Sequence, residues 1–113
     1  MSAGKYNIEI HQGVDYTQVV TIKTKADGTP IDFTGATIRG QIRETAASTV
    51  VIASFTVVNE DLANGTFVLN IPSATTTTLS FTTAVYDVEV QYPNGSVDRL
   101  LQGRAVFSPE VTR

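Results

Sequence analysis

Val85-Tyr86-Asp87-Val88-Glu89-Val90-Gln91-Tyr92, followed by Pro93-Asn94-Gly95-Ser96, is the stretch whose pattern decides the fold. Apolar and polar residues alternate with a period of two. Tyr86, Val88, Val90 and Tyr92 point one way; Asp87, Glu89 and Gln91 point the other. That is the pattern of a strand with one face buried. Asn94-Gly95 then supplies residues that tolerate the positive φ of a tight hairpin. Val97 to Phe107 is the expected partner strand. Its alternation slips where Leu100 and Leu101 are adjacent, which predicts a β-bulge near Gln102-Gly103.

The same alternation recurs towards the N-terminus. Thr37 to Arg43 sets Ile38, Gly40 and Ile42 against Thr37, Arg39, Gln41 and Arg43. Thr66 to Ile71 places Phe67, Leu69 and Ile71 on one face, and Pro72 ends the strand. Tyr6 to His11 and Tyr16 to Lys25 are two further strands, separated at Gly13. Ala26-Asp27-Gly28-Thr29-Pro30 is turn chemistry. Ile31 to Gly35 is a short extended connection. Thr49 to Val58 is a strand apolar on both faces, so its inner face is not defined. Glu60 to Gly65 is expected as a loop, with Asn64-Gly65 as its tight turn. Ser73 to Phe81 is the one helical candidate. Four consecutive threonines limit it to a short turn crossing between sheets, with Ser73 as its cap.

These segments predict an all-β, seven-stranded antiparallel two-sheet sandwich with an immunoglobulin-like strand count, a single domain over residues 1–113, and one short helical turn near 73–81. A small closed barrel is the second arrangement compatible with the pattern. Composition agrees. Seventeen threonines favour strands, and 42% hydrophobic residues in 113 allow one core. Tyr86, Val88, Val90, Ile38, Ile42, Phe67 and Leu69 are the expected core. Most of the aromatic residues Tyr6, Tyr16, Phe33, Phe55, Phe67, Phe81, Tyr86, Tyr92 and Phe107 are expected to join it, with Tyr92 the one candidate for an exposed contact.

The residue inventory argues against an enzyme. There is no cysteine and a single histidine, so thiol chemistry and multi-histidine metal sites are excluded. His11 lies on the polar side of its strand with Glu9, and reads as a surface histidine. Asp87 and Glu89 share a face, as do Arg39 and Arg43 on another strand. Cross-strand charge pairing is the simpler reading than paired-carboxylate catalysis. Asn59, Glu60, Asp61 and Asn64 lack the ligand spacing of a calcium loop. No nucleophile elbow, phosphate-binding loop or dinucleotide fingerprint occurs. The expectation is therefore no catalytic, cofactor-binding or metal residues, and no cofactor. A net charge of −3 argues against nucleic-acid binding. No apolar stretch is long enough for a signal peptide core or a membrane span, so synthesis in a cytoplasm is expected.

Two segments resemble a known family. The first is Pro30-Ile31-Asp32-Phe33-Thr34-Gly35-Ala36-Thr37-Ile38-Arg39-Gly40-Gln41-Ile42-Arg43. The second comprises Val85 to Val90, Asn94-Gly95-Ser96-Val97, Leu100-Leu101-Gln102-Gly103 and Ser108-Pro109-Glu110-Val111-Thr112-Arg113. Together they are similar to small virion proteins of tailed bacteriophages, and to the immunoglobulin-like N-terminal domain of phage baseplate upper proteins. The resemblance implies a non-enzymatic structural component of a tail, neck, baseplate or fibre adaptor. Its partners would be copies of itself, as a homo-oligomer, and other phage structural proteins, with no membrane partner. Its location would be the virion, and the host cytoplasm during assembly. Any receptor-binding or fibre domain is expected on another polypeptide. A carbohydrate- or receptor-binding β-sandwich is the alternative function. The scarcity of aromatics and the absence of tryptophan weigh against it.

Overall fold

The computed structural model describes residues 4–24, 27–80 and 82–111, with Glu60 described by its backbone. Expectations for residues 1–3, Lys25, Ala26, Phe81, Thr112 and Arg113 lie outside the described residues. The chain is mostly β, with two sheets packed together. The strands are β1 (Gly4–Lys5), β2 (Ile8–His11), β3 (Tyr16–Thr21), β4 (Thr37–Arg43), β5 (Val51–Ser54), β6 (Thr56–Asp61), β7 (Thr66–Ile71), β8 (Thr83–Gln91) and β9 (Val97–Ser108). A 3-10 turn spans Leu62–Asn64, and a single helical turn, α1, spans Ser73–Thr76. The larger sheet runs β1-β9-β8-β4-β5, with β2 also paired to β9; the smaller sheet runs β3-β7-β6.

The cleanest alternations map directly onto strands. β4 and β7 have the expected bounds, and β8 and β9 form the expected hairpin. At its tip Tyr92 N–H donates to Ser96 O at 2.8 Å, and Gly95 adopts φ 91°. Asn94 Oδ1 accepts from Ser96 N–H at 3.0 Å, closing the turn from within. All seven residues expected in the core are buried. Phe33, in the connection before β4, is fully buried as well and packs edge-on to Phe67 at 6.5 Å. Tyr92 is half-buried, its ring 6.2 Å from Phe33, while Tyr6 is exposed.

Five expectations are corrected. The strand expected over Thr49–Val58 breaks at Phe55, and the one expected over Tyr6 to His11 begins only at Ile8 and is preceded by the separate β1, so the described residues form nine strands rather than seven. β5 stays on the larger sheet and β6 crosses to the smaller one. Phe55 N–H bonds to Gly40 O at 3.0 Å, and its ring occupies the space a Cβ on Gly40 would need. The switch gives an apolar segment two inner faces in succession, burying Ala53 and Phe55.

The arrangement is not purely antiparallel: β1 and β2 run parallel to β9. These strands come from opposite ends of the chain, so no hairpin dictates their relative direction. The bulge lies at Leu100, not at Gln102-Gly103, because Val88 pairs with Leu101 and Glu89 with Arg99. Gly103 serves a different purpose: a Cβ there would strike the Tyr6 carbonyl of the incoming N-terminal segment. Finally, Glu60 and Asp61 belong to β6, and only Leu62–Asn64 turns before Gly65 at φ 70°.

α1 carries the chain from β7 to β8, as expected, but Ser73 does not cap it with its side chain. Pro72 occupies the cap position, and Asp15 Oδ1 accepts the Ser73 N–H at 2.6 Å. Thr76 is fully buried. Its hydroxyl accepts from Gly13 N–H at 3.1 Å and faces Val14 O at 3.0 Å and Ser73 O at 3.2 Å. One threonine of the four thus joins the helical turn to the β2–β3 crossing, and its polar group is satisfied.

Candidate interaction surfaces

The residues weighed for chemistry are dispersed. His11 and Glu9 form an exposed ion pair at 2.8 Å on β2. Asp61 accepts from Asn64 Nδ2 at 2.9 Å across the 3-10 turn. Among the described residues, no three His, Cys, Asp or Glu side chains come together as a metal site. Asp87 and Glu89 do share the outer face of β8, each beside an arginine of a neighbouring strand. Arg39 Nε lies 3.3 Å from Glu89, and Arg99 Nε lies 3.4 Å from Asp87. Register explains the pairs: Arg39 and Arg99 both stand opposite Glu89, and the Leu100 bulge brings Arg99 towards Asp87. Arg43 goes elsewhere, donating to Ser48 O at 2.6 Å and to Gln41 Oε1 at 2.9 Å.

Asp87, Glu89, Arg99 and Arg43 line a groove of about 560 Å³ on the outer face of the larger sheet, which also takes in Lys5, Gln41 and Gln102. Strand register adds Arg104, opposite Val85, to the same face. Five cationic side chains (Lys5, Arg39, Arg43, Arg99 and Arg104) therefore share a face with three carboxylates, Glu9, Asp87 and Glu89. Strand alternation pairs Arg39 and Arg43 with the carboxylates but does not place Lys5, Arg99 and Arg104 beside them. Their placement depends on the bulge and on the parallel β1–β9 pairing.

The smaller sheet presents the opposite surface. Its outward rows across β3, β7 and β6 are Thr17-Asn70-Thr56 and Val19-Val68-Val58, with Thr21-Thr66-Asp61 at the border. Val19 is 58% exposed and Val58 48%. Asp61 is the one charged residue in these rows.

A third surface lies where the β3–β4 crossing meets the β6–β7 turn. Lys23 pairs with Pro30, and Phe33 N–H donates to Leu62 O at 2.7 Å. Asp27, Asp32 and Asp61 are exposed around this junction. The Thr24 hydroxyl, at 2.5 Å, and the Thr29 N–H, at 3.0 Å, hold the Asp27 carboxyl down to about 2. The Thr34 hydroxyl and N–H lower the Asp32 carboxyl in the same way. At the far side of the core, burial pushes the Tyr16 phenol up to about 12 and raises that of Tyr86 further. The Tyr86 hydroxyl donates to the Tyr6 carbonyl, the group that Gly103 accommodates.

Comparison with protein-family models gives no match to this chain, and comparison with curated proteins gives none either.

Proposed function

We propose that this chain is a non-enzymatic structural module that works by associating with copies of itself and with other proteins of a larger assembly. The observation that carries the reading is the outer face of the smaller sheet. Val19, Val68 and Val58 form a continuous apolar row over three strands, flanked by threonines and asparagine. β3 and β6 are the edges of that sheet; β3 carries no charged residue and its open edge invites further strand or face pairing, whereas β6 ends in Glu60 and Asp61. A specific contact of about 800 Å² per subunit would cover such a face.

The assembly the sequence resembles is a tailed-phage virion, with the host cytoplasm as the place of assembly. The order β3-β7-β6 against β9-β8-β4-β5 is the order an immunoglobulin-like Greek key has, and it supports that finer reading of the sandwich. The carbohydrate-binding alternative would use the groove of the larger sheet. Its polar lining suits sugar hydroxyls, but the one ring at its wall, Tyr86, is turned into the core.

Sedimentation from micromolar to near-millimolar concentration tests the proposal. The expected result is a species that is a multiple of 12.1 kDa, with association weakened by Val19→Ser with Val58→Ser while the circular dichroism spectrum is retained. A single 12.1 kDa species throughout overturns it.

A further inference from the structure

We infer that the basic outer face of the larger sheet docks against the acidic junction of a second copy of this chain, giving a head-to-tail contact distinct from the valine face. This rests on the self-association reading and specifies a second interface within it. The chain has eight Lys and Arg residues and a net charge of −3. Five of the eight occupy one sheet face. Three of the eleven acidic residues share that face: Arg39 and Arg99 take up Glu89 and Asp87, and Glu9 lies against His11 on β2. Among the described residues, Lys5, Arg43 and Arg104 form no salt bridge. Lys5 and Arg104 are exposed.

The complementary charge is on the same molecule but on another surface. Asp27, Asp32 and Asp61 surround the junction of the β3–β4 crossing with the β6–β7 turn, with Lys23 as the described cation nearby. Asp98 extends this group: it acts on the Tyr92 phenol, whose ring packs against Phe33 beside the junction. The threonine hydrogen bonds to Asp27 and Asp32 orient these carboxylates before any partner arrives. Two different patches of opposite sign make a heterologous contact, which propagates into a ring or an open filament rather than closing as a two-fold dimer. The chain is elongated, with extents of 45 × 28 × 24 Å. The groove is concave, so it receives a projecting turn better than a flat face.

Charge exchange tests the contact. Lys5→Glu with Arg104→Glu reverses the basic face without touching its internal ion pairs. Asp27→Lys with Asp61→Lys reverses the junction. Sedimentation in low and moderate salt is the readout, with circular dichroism to confirm folding. Association of the natural chain should weaken with salt, and each double variant alone should associate about tenfold less well. An equimolar mixture of the two double variants should recover association, because each supplies one intact pairing of reversed charges. Association that persists but ignores salt and both variants overturns this contact and leaves the valine-face reading standing. A natural chain that stays monomeric at every salt concentration overturns both. A monomeric chain that binds poly-glutamate through Lys5 and Arg104 overturns the self-contact in favour of a foreign acidic partner.

Discussion

The larger sheet turns arginines, a lysine and three carboxylates to its outside, whereas the smaller sheet turns mostly valines and threonines there. Their inner faces are alike: Ile38, Ile42, Val88 and Val90 from one meet Phe67, Leu69 and Ile71 from the other. Both sheets obey the same alternation, which decides what is buried. The outer residues are left free to differ, and there the two sheets diverge in chemistry. Stability is concentrated between the sheets, and recognition is divided between their outsides.

Truncating the inner face of the smaller sheet should have the largest effect. That sheet has only three strands, and Phe67 lies at its centre with no solvent exposure. Phe67→Ala is expected to cost about 3–5 kcal/mol, and Leu69→Ala about 2–5 kcal/mol, in urea unfolding. A loss below about 0.5 kcal/mol at either site would mean the inner face of β7 has been misassigned.

The connection between the sheets comes next. Thr76→Val keeps the shape of a buried side chain but leaves Gly13 N–H without its acceptor. The expected loss is about 1–3 kcal/mol by thermal or chemical unfolding. An unchanged midpoint would show that water replaces the hydroxyl.

The two sheets share a pH-dependent element, through Tyr16 on β3 and Tyr86 on β8. The Tyr16 and Tyr86 phenols are raised above the ordinary value of 10.0. The folded state therefore keeps their protons where the unfolded chain loses them. Their contribution is complete below about pH 10; that of Tyr16 disappears as pH rises through about 12, and that of Tyr86 at higher pH. Tyrosinate absorbance should show both phenols silent until the protein unfolds. Tyr86→Phe should lose about 1 kcal/mol at neutral pH, through the bond to Tyr6, and less of its stability on the alkaline side. Normal titration of all four tyrosines in the folded protein would contradict this.

The smallest effect is expected on the charged outer face. Arg39→Ala should change stability by about 0.2–1 kcal/mol, because its ion pair with Glu89 faces solvent. A cost as large as that of Leu69→Ala would show that the charged face carries the fold, and the division between the two sheets would fail.

Local pattern alone determined a great deal here. Tyr86, Val88 and Val90, Ile38 and Ile42, and Phe67 and Leu69 could be assigned to the core because a strand's side chains repeat every two residues. Pro93-Asn94-Gly95-Ser96 announced its hairpin because the turn needs a glycine at positive φ. The pairing of outward arginines with Asp87 and Glu89 followed from the same periodicity, apart from which arginine met which carboxylate. Tertiary structure decided the rest. Thr49 to Val58 is apolar on both faces, so no periodicity marks Phe55 as the point where the chain changes sheets; Gly40, distant in sequence, makes room for it. The adjacent leucines signalled a bulge, but pairing with Val88 and Glu89 placed it at Leu100. The parallel seating of β1 and β2 on β9, and with it the position of Lys5 beside the arginines, depends on contact between the two ends of the chain. Periodicity reports which side of a strand meets water. Which strand lies beside it is set by packing between residues far apart in sequence, and short-range pattern does not encode that.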